Sequence, residues 1–142
     1  MAVAVKRVYE KPSRADGTRV LVDRLWPRGL TKKEASLDAW LKELAPSDEL
    51  RQWAHAHREA WSVFRKRYLK ELERPEAAEA LQKLYELSRG RKRLTLLYAF
   101  KDTEHNNAVV LKELLDGMKK PPTGTGPMGA AVGLRKAARR PS

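Results

Sequence analysis

The chain has 142 residues, 42% of them hydrophobic and 34% charged, with a formal net charge of +12 and no cysteine. That length fits one domain with its own core, and the missing thiols exclude disulfide frameworks, cysteine nucleophiles, iron–sulfur clusters and thiolate zinc sites. No apolar run approaches the ~20 residues of a membrane span, and Lys6 follows Met1 to Val5 before a signal-peptide apolar region can form, so a cytoplasmic protein without membrane contact is expected.

From the N-terminus, Val3 to Tyr9 alternates loosely between apolar and polar residues, as a half-buried strand does, and Glu10 to Thr18 reads as a loop around Pro12 and Asp16-Gly17. Arg19 to Leu25 contains Val20, Leu21 and Val22 in succession, the pattern of a strand covered on both faces. Thr31 and Glu34 have the spacing of a capping box. Leu37, Trp40, Leu41 and Leu44 then fall at i, i+3, i+4 and i+7, which predicts one helix running to Pro46. Ser47 caps a second predicted helix, with Asp48 and Glu49 in its first turn and Leu50, Trp53 and Ala54 on its buried face. Trp61, Phe64, Tyr68 and Leu72 make a third apolar stripe, ended by Pro75; a fourth helix covers Glu76 to Ser88 and stops at Gly90. Leu94 to Phe100 is a second continuous apolar strand, and Leu111, Leu114, Leu115 and Met118 mark a closing helix that Thr103 or Asn106 can cap. Helical register with leucines and alanines assigns Trp40, Trp53, Trp61, Phe64 and Tyr68 to core packing rather than to ligand stacking.

Two doubly covered strands separated by helical sequence imply parallel pairing through a crossover. The expected fold class is α/β, a small, mostly parallel sheet with helices packed on it in a Rossmann-like two-layer or three-layer arrangement. Residues 1–118 form the expected domain. Residues 119–142 hold Lys119, Lys120, Arg135, Lys136, Arg139 and Arg140 with no acid, a charge of +6 that equals that of the rest of the chain. With Pro121, Pro122, Pro127, Pro141 and four glycines, this tail is expected to be disordered. Gly124, Gly126 and Gly129 have dinucleotide-binding spacing, but no strand precedes them and Pro127 lies inside, so the strand–turn–helix context is missing.

Ligands of open parallel sheets bind beyond the carboxyl ends of the strands. This singles out Asp23 to Gly29 and Lys101 to Asn107. If the two strands are neighbours, their loops bring together Asp23, Asp102 and His105 as candidate acid–base groups, with Arg24, Arg28, Lys101, Asn106 and Asn107 as candidate ligand-binding groups. Arginine forks and the free N–H groups of a helix start suit an anion. Arg24 and Arg28 can equally pair with Asp23, Asp38 or Asp102, and the asparagines can simply cap the helix. Pro27 and Gly29 shape the first loop. His55 and His57 are too splayed for a convincing metal pair, and neither a metal nor a cofactor is expected.

Val20-Leu21-Val22-Asp23-Arg24-Leu25-Trp26-Pro27-Arg28-Gly29 resembles the signature of the YeaO-like family, domain of unknown function 488. Trp40-Leu41-Lys42-Glu43-Leu44-Ala45-Pro46-Ser47 with Leu50 and Trp53, then Phe64, Tyr68, Glu71-Leu72, Leu96-Leu97-Tyr98, Asp102 and His105-Asn106-Asn107-Ala108 follow the family's order and spacing, from about Val5 to Leu115. The resemblance implies a compact α/β domain and signature residues at Asp23, Arg24, Trp26, Pro27, Arg28, Lys42, Ser47, Lys101, Asp102 and Asn106, without naming a substrate. Three functions follow as expectations. The first is a domain that binds, with or without turnover, a small phosphate- or carboxylate-bearing ligand on those loops. The second is a nucleic-acid accessory protein acting through its basic tail, and the third a protein-interaction module without chemistry.

Overall fold

The computed structural model describes residues 3–90 and 92–118; the tail 119–142 and its glycine motif lie outside them. In chain order the elements are β1 (Val3–Arg7), β2 (Thr18–Leu21), α1 (Lys32–Ala35), β3 (Ala39–Trp40), α2 (Asp48–Ala56), α3 (Trp61–Glu71), α4 (Pro75–Ser88), β4 (Leu94–Tyr98) and α5 (Asn107–Gly117). The fold is α/β. Among the described residues no helix is long and apolar enough to cross a membrane. The chain divides into two compact units, one formed by Met1–Ala45 with Leu84–Gly117 and the other containing Pro46–Lys83.

The first unit holds one sheet of four parallel strands in the order β1-β4-β2-β3. Leu96 of β4 lies between Val5 of β1 and Val20 of β2, so the two strands predicted to be neighbours are neighbours. Every residue of β4 is buried, as expected of a strand that is hydrogen-bonded on both edges. Side chains alternate between the two faces. On one face Val8, Leu21 and Leu97 form a cluster against which Leu30, Leu37, Trp40 and Ala99 pack. Helix α5 packs on β1 and β4 and buries Ala108, Val110, Leu111 and Leu115.

The long helix expected from Thr31 to Pro46 does not form. Its start is as read: Thr31 accepts the Glu34 N–H, and the Glu34 side chain accepts that of Thr31. Helix α1 then ends at Ser36, which takes a left-handed conformation with φ 49°. Beyond it the backbone turns to the open edge of β2. Asp38 N–H donates to Arg19 O at 2.8 Å, Leu41 N–H donates to Leu21 O at 2.9 Å, and the Asp38 carboxylate accepts the Arg19 N–H at 2.8 Å. The apolar spacing of Leu37, Trp40, Leu41 and Leu44 suits a helix, but an unpaired edge beside a buried strand demands backbone partners, and that demand decides the conformation.

Just ahead of β2, Asp16, the last residue of a short 3-10 turn (Arg14–Asp16), accepts from Lys6 of β1 at 3.0 Å, from Arg19 and from the Ser13 N–H at 3.0 Å. Arg19 also donates to Ala35 O at 2.7 Å and Ser36 O at 3.0 Å, which ties α1 to the sheet. Gly17 follows with φ 65°, and a Cβ there would collide with the Arg93 carbonyl, the acceptor of the Thr18 N–H.

In the second unit, Ser47 caps α2 as predicted by accepting the Leu50 N–H at 3.1 Å. Its own N–H and Oγ both go to the Glu71 carboxylate of α3, at 2.8 and 2.6 Å. Trp61, Phe64 and Tyr68 stack in succession along α3, with Phe64, Tyr68 and Leu72 buried, while Trp53 and Trp61 are only half-buried. Because Ser47→Ala removes both the cap and a charge-assisted hydrogen bond, it should cost about 2 kcal/mol in urea denaturation. Glu71→Gln should cost less, since an amide can still accept one of the two bonds.

Candidate binding site at the carboxyl edge of the sheet

The loops that follow β2 and β4 meet through Asp23. Its Oδ2 accepts the Ala99 N–H at 2.8 Å and its Oδ1 accepts the Asn107 side-chain amide at 3.2 Å. The same Asn107 nitrogen donates to Val22 O at 3.0 Å, and Trp40 Nε1 donates to Asp23 O at 2.7 Å. One carboxylate thus joins the end of β2, the end of β4 and the first turn of α5. Parallel pairing makes this possible, because it brings both strands to their carboxyl ends on one edge.

The second loop is ordered by its own residues. Asp102 Oδ1 accepts the N–H groups of Glu104 and His105 at 2.9 and 3.0 Å, and its other oxygen lies 3.7 Å from His105 Nδ1. Asn106 donates to Asp102 O at 2.9 Å and caps α5 by accepting the Val109 N–H at 3.0 Å. Asn106 and Asn107 are buried, whereas His105 and Lys101 are exposed.

Arg24 and Arg28 are exposed on the first loop. Pro27 is buried and Gly29 has φ 85°, which accounts for the sharp return of the chain. Trp26 donates to Leu30 O at 2.7 Å and meets the Trp40 ring edge-on at 5.5 Å, so it holds the loop on the apolar cluster. The sequence therefore brings Asp23 into direct contact with Asn107, and Asp102 into contact with His105 and Asn106. Arg24, Arg28 and Lys101 are exposed on the same two loops. His57, one of the two histidines set aside as a metal pair, stacks on Trp53 at 4.5 Å and places Nδ1 3.0 Å from Trp53 O.

Residues 2–124 match the family model described as "Inactive DUF488-N3 subclade". The chain belongs to the YeaO-like DUF488 family. It is 43% identical to the uncharacterised protein YeaO of Escherichia coli K12 over 115 residues, which cover 81% of this chain and 97% of YeaO. It is 42% identical to the uncharacterised protein Rv3073c of Mycobacterium tuberculosis H37Rv, over 81% of this chain and 94% of that one. No solved structure matches it.

In this member of the DUF488 family, sequence reasoning overlooked the contribution of β1 to the edge. Arg7 donates to Phe100 O at 3.1 Å and Ala99 O at 2.8 Å, and its guanidinium lies 5.2 Å from the Tyr9 ring centre. Tyr9 in turn donates to Arg28 O at 3.0 Å, which fastens the arginine loop to the end of β1. Tyr98 is buried beside them, and burial pushes its phenol above the usual range, helped by the Glu10 charge and opposed by Arg7 and a hydrogen bond with Asn106. The sequence places Arg7 and Tyr9 at the end of the predicted strand Val3 to Tyr9, but that β1 ends at Arg7 beside Tyr98 follows only from the pairing.

Proposed function

We infer that this protein binds a small anionic ligand, phosphate- or carboxylate-bearing, on Arg24, Arg28 and Lys101 at the carboxyl edge of the sheet, and does so without turnover. The observation that carries this reading is the Asp23 junction, which places the arginine loop and the lysine loop on one edge. Arginine supplies a planar fork for oxyanions and lysine a mobile point charge. Binding without turnover is favoured by what the acids do. Both oxygens of Asp23 hold backbone and amide donors, and Asp102 orders its own loop. A general base instead needs a lone pair directed at substrate. The subclade's description as inactive points the same way.

Titration calorimetry with inorganic pyrophosphate and with citrate tests the proposal. The full chain should bind one of them, and Arg28→Ala combined with Lys101→Ala should weaken that binding at least tenfold while moving the melting temperature by no more than a degree or two. Binding by the double variant as tight as by the parent, or silence with both anions, would remove this reading. Parallel release of orthophosphate from pyrophosphate would show that turnover had been wrongly discounted.

A further inference from the structure

The second unit carries a cationic surface that the anion site does not use. Along α3, Val63, Lys66, Arg67 and Lys70 fall at i, i+3, i+4 and i+7, and all four are exposed. Phe64 and Tyr68 occupy the buried side of the same helix. Between Arg58 and Arg74 the chain holds six lysines and arginines against three acids, so this stretch is basic in its own right and owes nothing to the tail. Two of those acids lie within a helical turn of the exposed cations. Glu71 is taken up by the Ser47 N–H and hydroxyl, which leaves Glu73 beside Lys70. Lys66 and Lys70 stand one turn apart, an arrangement of like charges that disfavours the helix until an anion covers it. The Arg67 guanidinium lies 4.5 Å from the centre of the half-buried Trp53 ring, on which His57 also stacks at 4.5 Å.

We propose that the outward face of α3, with Lys66, Arg67 and Lys70, is a docking surface for the phosphate backbone of a nucleic acid. Charge complementarity selects a polyanion. The Trp53 ring already carries His57 and Arg67, so it fixes one cation of the row in place rather than offering a face to bases. An anionic membrane is a poorer fit, since the stripe offers a single apolar side chain, Val63, for insertion.

The test is fluorescence anisotropy with a labelled 20-nucleotide oligodeoxythymidylate and the full chain, measured as a function of salt. Lys66→Gln with Lys70→Gln should weaken binding about tenfold or more at low salt and reduce the slope of log affinity against log salt by about 1.4, the value for losing two phosphate contacts on a single strand. Lys32→Gln with Lys33→Gln removes the same charge from α1 and should leave the slope unchanged. Arg67→Gln should weaken binding as well, which gives a reading independent of the lysine pair. Equal losses in the α1 and α3 double variants, an unaltered slope in the α3 pair, or binding to phosphatidylserine vesicles with none to the oligonucleotide would each overturn the proposal.

Discussion

Asp16→Ala should destabilise the protein by about 3–5 kcal/mol, the range for removing one partner from a buried ion cluster. Asp16 and Arg19 are 6% and 4% exposed, and the Lys6 ammonium lies 3.0 Å from the same carboxylate. Removing the acid takes the only anionic partner shown among the described residues from a buried guanidinium, which keeps just the carbonyls of Ala35 and Ser36, and from a largely covered ammonium, which keeps just that of Lys11. The pH dependence has a definite sign. Burial works against the Asp16 charge, but hydrogen bonds from Lys6, the Ser13 N–H and Arg19 outweigh it and hold the carboxyl below its usual value. A carboxyl whose folded value is depressed contributes stability above its unfolded value of about 3.9, and that contribution fades as pH falls through the lower folded value. Urea midpoints of parent and variant should therefore lie far apart at pH 7 and draw together below about pH 4. A gap that stayed constant down to pH 2 would mean that the cations are held by something other than this charge.

Three of the four strands, β1, β2 and β4, and most of the helices were legible because their signals are local. Val20-Leu21-Val22 and Leu94 to Tyr98 leave no polar face, so each requires cover on both sides, and two such runs separated by helical sequence require parallel pairing. Ser47 and Thr31 announce helix starts by side-chain chemistry alone, and both caps form as spaced. Residues 37–44 were misread because the decisive interaction is not local. Leu37, Trp40, Leu41 and Leu44 satisfy helical spacing, and only the presence of the β2 edge converts Ala39–Trp40 into a strand. The same holds for the carboxyl edge. Its loops could be placed from strand direction. That Asp23 accepts from Ala99 and Asn107, at separations of 76 and 84 residues, depends on the fine register of three elements, which no spacing rule carries. Arg7 and Tyr9 were passed over for a related reason: β1 lies beside β4 although it precedes β2 in the chain, so its end was not counted among the ends that matter.

Asp23→Asn should cost about 2–3 kcal/mol although it changes one atom, and this is the sharpest test of whether the residue is a latch or a reagent. A carboxylate at this point meets two donors, the Ala99 N–H and the Asn107 amide. An asparagine can present its oxygen to only one of them and must turn an NH₂ group toward the other, so a part-buried donor is left facing a donor. The Asn107 amide has a second partner in Val22 O, so Asn107→Ala breaks the same junction from the other side and frees that carbonyl as well. In a double-mutant cycle Asp23→Asn and Asn107→Ala should therefore fall short of additivity by about 1 kcal/mol or more, as residues sharing one hydrogen-bonded junction do. If Asp23→Asn instead melts within half a degree of the parent, the carboxylate does not secure the edge. Its hydrogen bonds would then no longer speak against turnover at this edge.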